Sequence, residues 1–418
     1  MTAATASPPT TGRRPLELWL VLAAFVAVWT LVPLIARWPA AIWDDTMEAW
    51  TWGQAPQLGY YKLPPFYAWI AAAWFRLLPP GDLGGYLLSA ATGAIGLLAV
   101  WHIAGRFVAG AGPLAAVLLA TTLPTATAMA TLFNANTILL ALWPWTTLLF
   151  LRTLERRRAA DGAMLGALAA AGLLSKYSSA LLLAPMLAAA LLHPDRRAWF
   201  RSPAPYTAAA VCLLLLAPHV WWLVANDFPT FKYAAGKVTD DGSRALYKAA
   251  TVAATAVGLM LPPVLAVLLA LGRDGAALLV AGARRLATPA DAWLLALLAG
   301  PLVLTLLSGV VGGVRLAPNY LIPTLFLVPV WVCRAVGDQA AERALSHVRR
   351  FAAGYAALAL LVAPGLAYGG MALQLRKFSD PVKEAVTTAQ ELWRQQVGRP
   401  VGIASGTELY AHGLAYYG

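Results

Sequence analysis

Apolar residues along this chain gather in blocks of about 20, too long for a buried strand and too uniform for a one-sided helix. A helix rises about 1.5 Å per residue, so a block of this length matches the roughly 30 Å of a bilayer's hydrocarbon core. Eleven blocks predict membrane spans, at about 16–37, 84–105, 110–131, 137–151, 161–175, 177–193, 204–225, 247–271, 291–312, 317–335 and 351–373. Segment 275–285 is too short to cross and is expected to lie at the interface. A membrane β-barrel would instead show segments of about ten residues with alternating polarity, and none is seen. The pattern predicts an all-α polytopic membrane protein.

The polar positions fall into short connections and one long one. The connection at 38–83 reads WDDTMEAWTWGQAPQLGYYKLPPFYAWIAAAWFRLLPPGD from Trp43 onward. Around Trp43–Trp52, the tryptophans and Met47 share one helix face, with Asp44, Asp45 and Glu48 on or near another. That is the pattern of a helix lying in the interface. Pro64 and Pro65 open a second such helix over Phe66–Leu77, since proline suits a first turn. Two adjacent carboxylates at the end of a span also fit a helix start.

Composition excludes other classes. Of 418 residues, 60% are hydrophobic and only 12% charged, about half the charge a soluble surface requires. The net charge of +12 does not indicate nucleic acid, because the arginines flank apolar runs instead of sharing a soluble face. With the N-terminus inside, seventeen arginines and no lysine face the cytoplasm, and all the lysines fall outside. The positive-inside bias therefore predicts a multi-pass inner (plasma) membrane protein with a cytoplasmic N-terminus and a periplasmic C-terminus. The expected organisation is a disordered cytoplasmic leader (1–15), a transmembrane domain (16–373, with a periplasmic loop at 38–83) and an incomplete periplasmic C-terminal segment (374–418), the start of a small outer domain. Arg13 and Arg14 precede an apolar run longer than a signal-peptide core, so the first span is expected to stay uncleaved. Cys212 and Cys333 sit inside apolar runs and read as core residues. The five histidines (His102, His193, His219, His347, His412) show no paired ligand spacing, so no divalent metal or other cofactor is indicated. His219 lies within a span, where a satisfied core histidine and a functional one are both open readings.

The outer face carries the motifs. After the first loop come FNANTILLALWPWT (133–146), LLSKYSSALLL (173–183), ANDFPTFKYA (225–234) and RLAPNYLIP (315–323). In this order they resemble bacterial membrane glycosyltransferases of the aminoarabinose transferase and protein O-mannosyltransferase type. The first loop of such relatives runs Asp-Glu-x-x-x-Trp-x-Trp-x-Gln, then Gly-Tyr-(Tyr/Phe)-Asp-His-Pro-Pro. Here the matching positions are Asp45, Thr46, Trp50, Trp52, Gln54, then Gly59, Tyr60, Tyr61, Lys62, Leu63, Pro64 and Pro65. Residues 398–417 resemble the strand that opens the outer domain of these relatives, which continue further. The chain departs from the pattern at Thr46, at Lys62-Leu63 where relatives have Asp-His, and at Asn136 where many have Asp.

The resemblance implies a GT-C-type fold and an inverting transfer of a sugar from a polyprenyl-phosphate donor to a lipid A, protein or other envelope-glycan acceptor, with no nucleic acid involved. It implies a first-loop carboxylate as base: Asp45, with Asp44 the alternative and Glu48 one turn along. Cations for the departing phosphate are Lys62, Lys176, Arg315 and Lys232, or Lys237. Asn134, Asn136, Tyr60, Tyr61, Asn319 and Tyr320 are expected to position substrate. Structural readings stand beside these: Lys176 and Arg315 would also suit snorkelling at span ends, and Asn134 and Asn136 would suit a helix cap. A transporter or flippase would place its ionisable groups mid-span, whereas here they gather on one face. The missing Asp-His leaves a catalytically inactive relative as a third reading.

Overall fold

The computed structural model describes residues 14–236, 242–375, 378, 380–402 and 404–418. Most of the leader and Lys237 lie outside the described residues. Helices α1 to α5 are Arg14–Ala36, Asp44–Gln54, Phe66–Trp74, Asp82–Ala104 and Gly112–Ala120. Helices α6 to α11 are Leu139–Arg156, Ala159–Ser175, Ala180–Leu192, Arg196–Phe200, Ala204–Ala225 and Pro229–Ala235. Then come α12 (Gly242–Leu286), α13 (Ala292–Val310), α14 (Val328–Val336), α15 (Asp338–Ala372), α16 (Val382–Val397) and α17 (Glu408–Tyr417). No extended strand occurs among the described residues.

Among the described residues, six helical segments are long and apolar enough to cross a membrane: α1, α4, α10, α12, α13 with its leading turn, and α15. α7 and α8 are shorter apolar helices. Two predicted spans break up. In 110–131, α5 ends at Ala120 and turns follow, because Pro124 lacks an N–H and the hydroxyls of Thr122 and Thr127 bond the Leu119 and Leu123 carbonyls. In 317–335, a 3-10 turn at Pro318–Leu321 precedes α14. Segment 275–285 follows a break in α12: at Gly272 the backbone is non-helical (φ 57°, ψ −133°), a conformation glycine adopts freely, so α12 is two helical pieces and 275–285 belongs to the second.

Small residues set the closest crossings. The Gly162-x-x-x-Gly166 pair of α7 lies on α10, where an added Cβ would come within 2.3 Å of the Ala204 carbonyl oxygen and 2.2 Å of that of Ala208. Such approach is how helices associate in lipid, where no hydrophobic force drives them together. Charges segregate by end. Arg14–Glu342, Arg106–Glu155, Arg152–Asp161, Arg157–Asp195, Arg334–Asp291 and Arg349–Glu17 join segments expected on the arginine-rich face. The pairs built on Lys62, Lys383 and His412 join only segments expected on the other face.

Candidate active site

The first-loop helix α2 begins with Asp44 and Asp45 in its first turn, and the N-cap residue Trp43 makes no side-chain capping bond. Both acids reach outward to other elements. Thr46 anchors the helix: its hydroxyl donates to the Phe133 carbonyl at 3.3 Å and accepts from the Phe133 N–H at 3.1 Å. That contact puts the FNAN turn against the acids. Asn134 Nδ2 donates to Asp45 Oδ2 at 2.9 Å. Asn134 Oδ1 accepts from the backbone N–H of Asn136 and Thr137, closing the turn that leads into α6. Asn134 therefore both closes this turn and holds Asp45.

Two residues on, Asn136 Oδ1 accepts from Lys176 Nζ at 2.5 Å. Lys176 ends α7 in an extended conformation, and its ammonium sits 4.6 Å from the centre of the Tyr320 ring. Desolvation in this turn lowers Lys176 to about 8, against the attraction of Asp45, which favours its charge. One short turn thus holds an exposed carboxylate and a desolvated cation through two asparagines.

Lys62 lies in a different setting. It donates to the buried Glu48 at 2.6 Å and pairs with Glu408 of α17 at 2.9 Å. Burial alone would lower Lys62, but the hydrogen bonds to both carboxylates outweigh it and raise it. Burial pushes Glu48 up, against Lys62. Glu408 is held below the usual carboxylate range by hydrogen bonds from Tyr61, at 2.5 Å, and Lys62. A cation already shared by two carboxylates is a poorer phosphate ligand than Lys176, which hydrogen-bonds an amide.

The C-terminal helix α17 packs along α2. His412 Nδ1 lies 2.9 Å from Asp44 Oδ1, and the Trp50 indole donates to the Ala415 carbonyl at 3.3 Å. Tyr417 and Lys383 both reach Asp82 at the start of α4. The segment read as a strand is therefore helical over Glu408–Tyr417: Leu409, Gly413 and Tyr416 recur at helical spacing, and all are partly or fully buried. With Asp44 engaged by His412, Asp45 is the exposed acid of the pair.

Tyr60 stacks on Trp52, with ring centres 4.7 Å apart, and its hydroxyl donates to the Trp52 carbonyl at 2.7 Å. Gly59 lies flat under Trp222 of α10; an added Cβ would meet that ring at 2.3 Å. His219, buried within α10, ties the outer turns together. The Leu58 carbonyl at 2.6 Å can only accept, which assigns the hydrogen to Nδ1. Nε2 then accepts from Tyr177 at 2.7 Å, and Tyr177 accepts from Thr230 at 3.0 Å.

The structure thus joins Asp45 with Asn134, Asn136 with Lys176 and Tyr320, and Lys62 with Glu48 and Tyr61. Arg315 and Asn319 are exposed on the 312–321 turn and Lys232 is exposed on α11. None of these three has a side-chain hydrogen bond or ion pair to the cluster among the described residues. Glu408 and His412 were not anticipated.

Known proteins resemble this chain in the same terms. The family described as dolichyl-phosphate-mannose-protein mannosyltransferase matches residues 62–222. Two curated relatives come from Rhizobium johnstonii. The lipid A galacturonosyltransferase RgtD is 27% identical over 202 residues, 45% of this chain and 40% of the relative. The lipopolysaccharide core galacturonosyltransferase RgtA is 28% identical over 391 residues, 90% of this chain and 76% of the relative. The crystal structure of ArnT from Cupriavidus metallidurans bound to undecaprenyl phosphate superposes with a TM-score of 0.61 at 17% identity, covering 96% of this chain and 75% of that one. The fold is that of the GT-C membrane glycosyltransferases, and the resemblance read from the motifs stands.

Proposed function

We propose that this protein transfers a sugar from a polyprenyl-phosphate donor to a lipopolysaccharide-type acceptor at the outer face of the inner membrane, with inversion at the anomeric carbon. The observation that carries this reading is the coupling of exposed Asp45 and Lys176 through Asn134 and Asn136. Asp45 accepts the proton of the attacking acceptor hydroxyl. The oxygen bonds to the anomeric carbon as the bond to the lipid phosphate breaks on the opposite face. The departing phosphate takes the electron pair, and Lys176 meets its growing charge. Asn134 keeps the base aimed, and Asn136 keeps the cation from swinging toward it. Arg315 and Lys232 flank this end as auxiliary cations, and Asn319 lies beside Tyr320.

Several facts support this reading. The relatives named above act on lipid A and lipopolysaccharide core, and the ArnT structure of the same fold holds undecaprenyl phosphate. The arginine bias favours a cytoplasmic N-terminus and a periplasmic site. Residues 16–373 form the membrane domain of this scheme, and 374–418 contribute α17 to its site. The test is to incubate purified protein with a panel of polyprenyl-phosphate sugars and lipid A or core acceptors, reading release of polyprenyl phosphate and the anomeric configuration of the product. Release no greater than from an Asp45→Asn variant across the panel rejects the proposal.

A further inference from the structure

Two turns along α2 from Asp45, at Thr51 and Trp52, opens a cavity of about 480 Å³. Trp52, Tyr60, Tyr61 and Trp222 line it, with Gln57 and Asn226 among its polar lining residues. The aromatic wall is fixed: Trp52 stacks on Tyr60, and Tyr61 stands edge-on to Trp52 with ring centres 5.8 Å apart. Rigid apolar faces with a few placed polar groups suit a ligand that is apolar on its faces and polar at its edges, as a sugar ring is.

At Tyr61 the cavity meets a built anion position. Tyr61 Oη and Lys62 Nζ both donate to the Glu408 carboxylate, at 2.5 and 2.9 Å. The Glu408 side chain is 54% exposed, whereas Glu48, on the same lysine, is 8% exposed. Glu408 is thus the partner free to leave, and an incoming anion would take over its hydrogen bonds from Lys62 and Tyr61. We propose that this cavity is an acceptor subsite for an acidic saccharide, a sugar bearing a phosphate or carboxylate, and that Glu408 occupies the place of its anion on Lys62 and Tyr61. The proposal rests on the glycosyl-transfer reading and names part of the acceptor. Trp52 lies seven residues beyond Asp45 on α2, about 10 Å along the helix. The held saccharide is therefore a neighbour of the sugar that is attacked, not that sugar itself. The donor phosphate goes to Lys176, which has no carboxylate on it to displace.

The test is equilibrium binding by calorimetry to full-length wild type, Glu408→Gln, Glu408→Ala and the double variant Glu408→Gln/Trp222→Ala, each checked for monodispersity. The probes are glucose 1-phosphate, glucose, inorganic phosphate and undecaprenyl phosphate. Removing a competing charged hydrogen bond should tighten glucose 1-phosphate about tenfold in both single variants. Glucose should not gain, and Trp222→Ala should erase most of the gain. Unchanged or weaker glucose 1-phosphate binding overturns the proposal. A matching gain for inorganic phosphate, with Trp222→Ala silent, removes the saccharide from it. A gain confined to undecaprenyl phosphate assigns the anion position to the donor and overturns it equally. No turnover is read, so an inactive enzyme defeats the transfer reading while this result still stands or falls by itself.

Discussion

Asn134 Nδ2 donates to the Asp45 carboxylate at 2.9 Å while the Oδ1 of the same amide closes the turn into α6. An acid on a surface helix is thereby pinned to the membrane bundle, and its free oxygen faces solvent with no rotamer search left to make. Asp44, one residue earlier, is turned away to His412.

The two acids should therefore separate on substitution. Asp45→Asn is expected to lower kcat for polyprenyl phosphate release by about 10²–10⁴, the usual contribution of a positioned base. Asp44→Asn should retain most activity. Side-by-side assays at equal expression check this, and a dead Asp44→Asn with an active Asp45→Asn reverses the assignment.

Lys176 predicts a pH dependence. Held near 8, it is charged below that value and neutral above it, so donor binding should weaken as pH rises through about 8. An ordinary lysine would keep its charge to about 10.4. Donor titrations between pH 6 and 10 read the midpoint. Lys176→Arg should move the decline beyond the measured range, and Lys176→Ala should cost about 10²–10³ in rate.

Lys62 and Glu48 form a buried pair, and removing one partner strands the other. Lys62→Met should destabilise the protein by about 3–5 kcal/mol. The double variant Lys62→Met/Glu48→Gln should recover much of that loss. Unfolding of both in the same detergent decides it; equal losses would show that the pair is not the cause.

The α7–α10 crossing should not tolerate bulk. Gly166→Leu drives a side chain into the Ala208 backbone, where even a Cβ would lie 2.2 Å from the carbonyl oxygen. Overpacking of this kind costs about 1–3 kcal/mol. A lower melting temperature in detergent is expected, and Gly258→Leu, whose Cβ meets no atom within 4 Å, serves as the control.

Sidedness has its own check. A cysteine at exposed Gln57 should react with an impermeant thiol reagent in intact spheroplasts, and one at exposed Arg197 only after lysis. The reverse pattern inverts the topology and turns the site toward the cytoplasm.

Local pattern carried much of this architecture. Proline at the start of α3 and tryptophan beside acid in α2 mark helices that form as read. The broken spans were legible only in TTLPTAT and in Pro318, small signals inside strongly apolar stretches whose hydropathy outweighs them. Asn134 and Lys176 showed as motifs, but the pairing of Asn134 to Asp45 and Asn136 to Lys176 is a fact of tertiary packing. Glu408 and His412 gave no signal at all. Their i, i+4 spacing is that of any solvated helix face, and only the docking of α17 on α2 brings them to the acids. The tail was read as a strand by resemblance, although its own residues favour a helix.

Tyr61 and Glu408 are 347 residues apart. A ribosome adding about 5–20 residues per second reaches Glu408 roughly 20–70 s after Tyr61. Throughout that interval Asp44 lacks its His412 partner and Lys62 has Glu48 but not Glu408. A nascent chain is therefore an open version of the folded one, and Tyr61 meets Glu408, and Asp44 meets His412, only once α17 has been made.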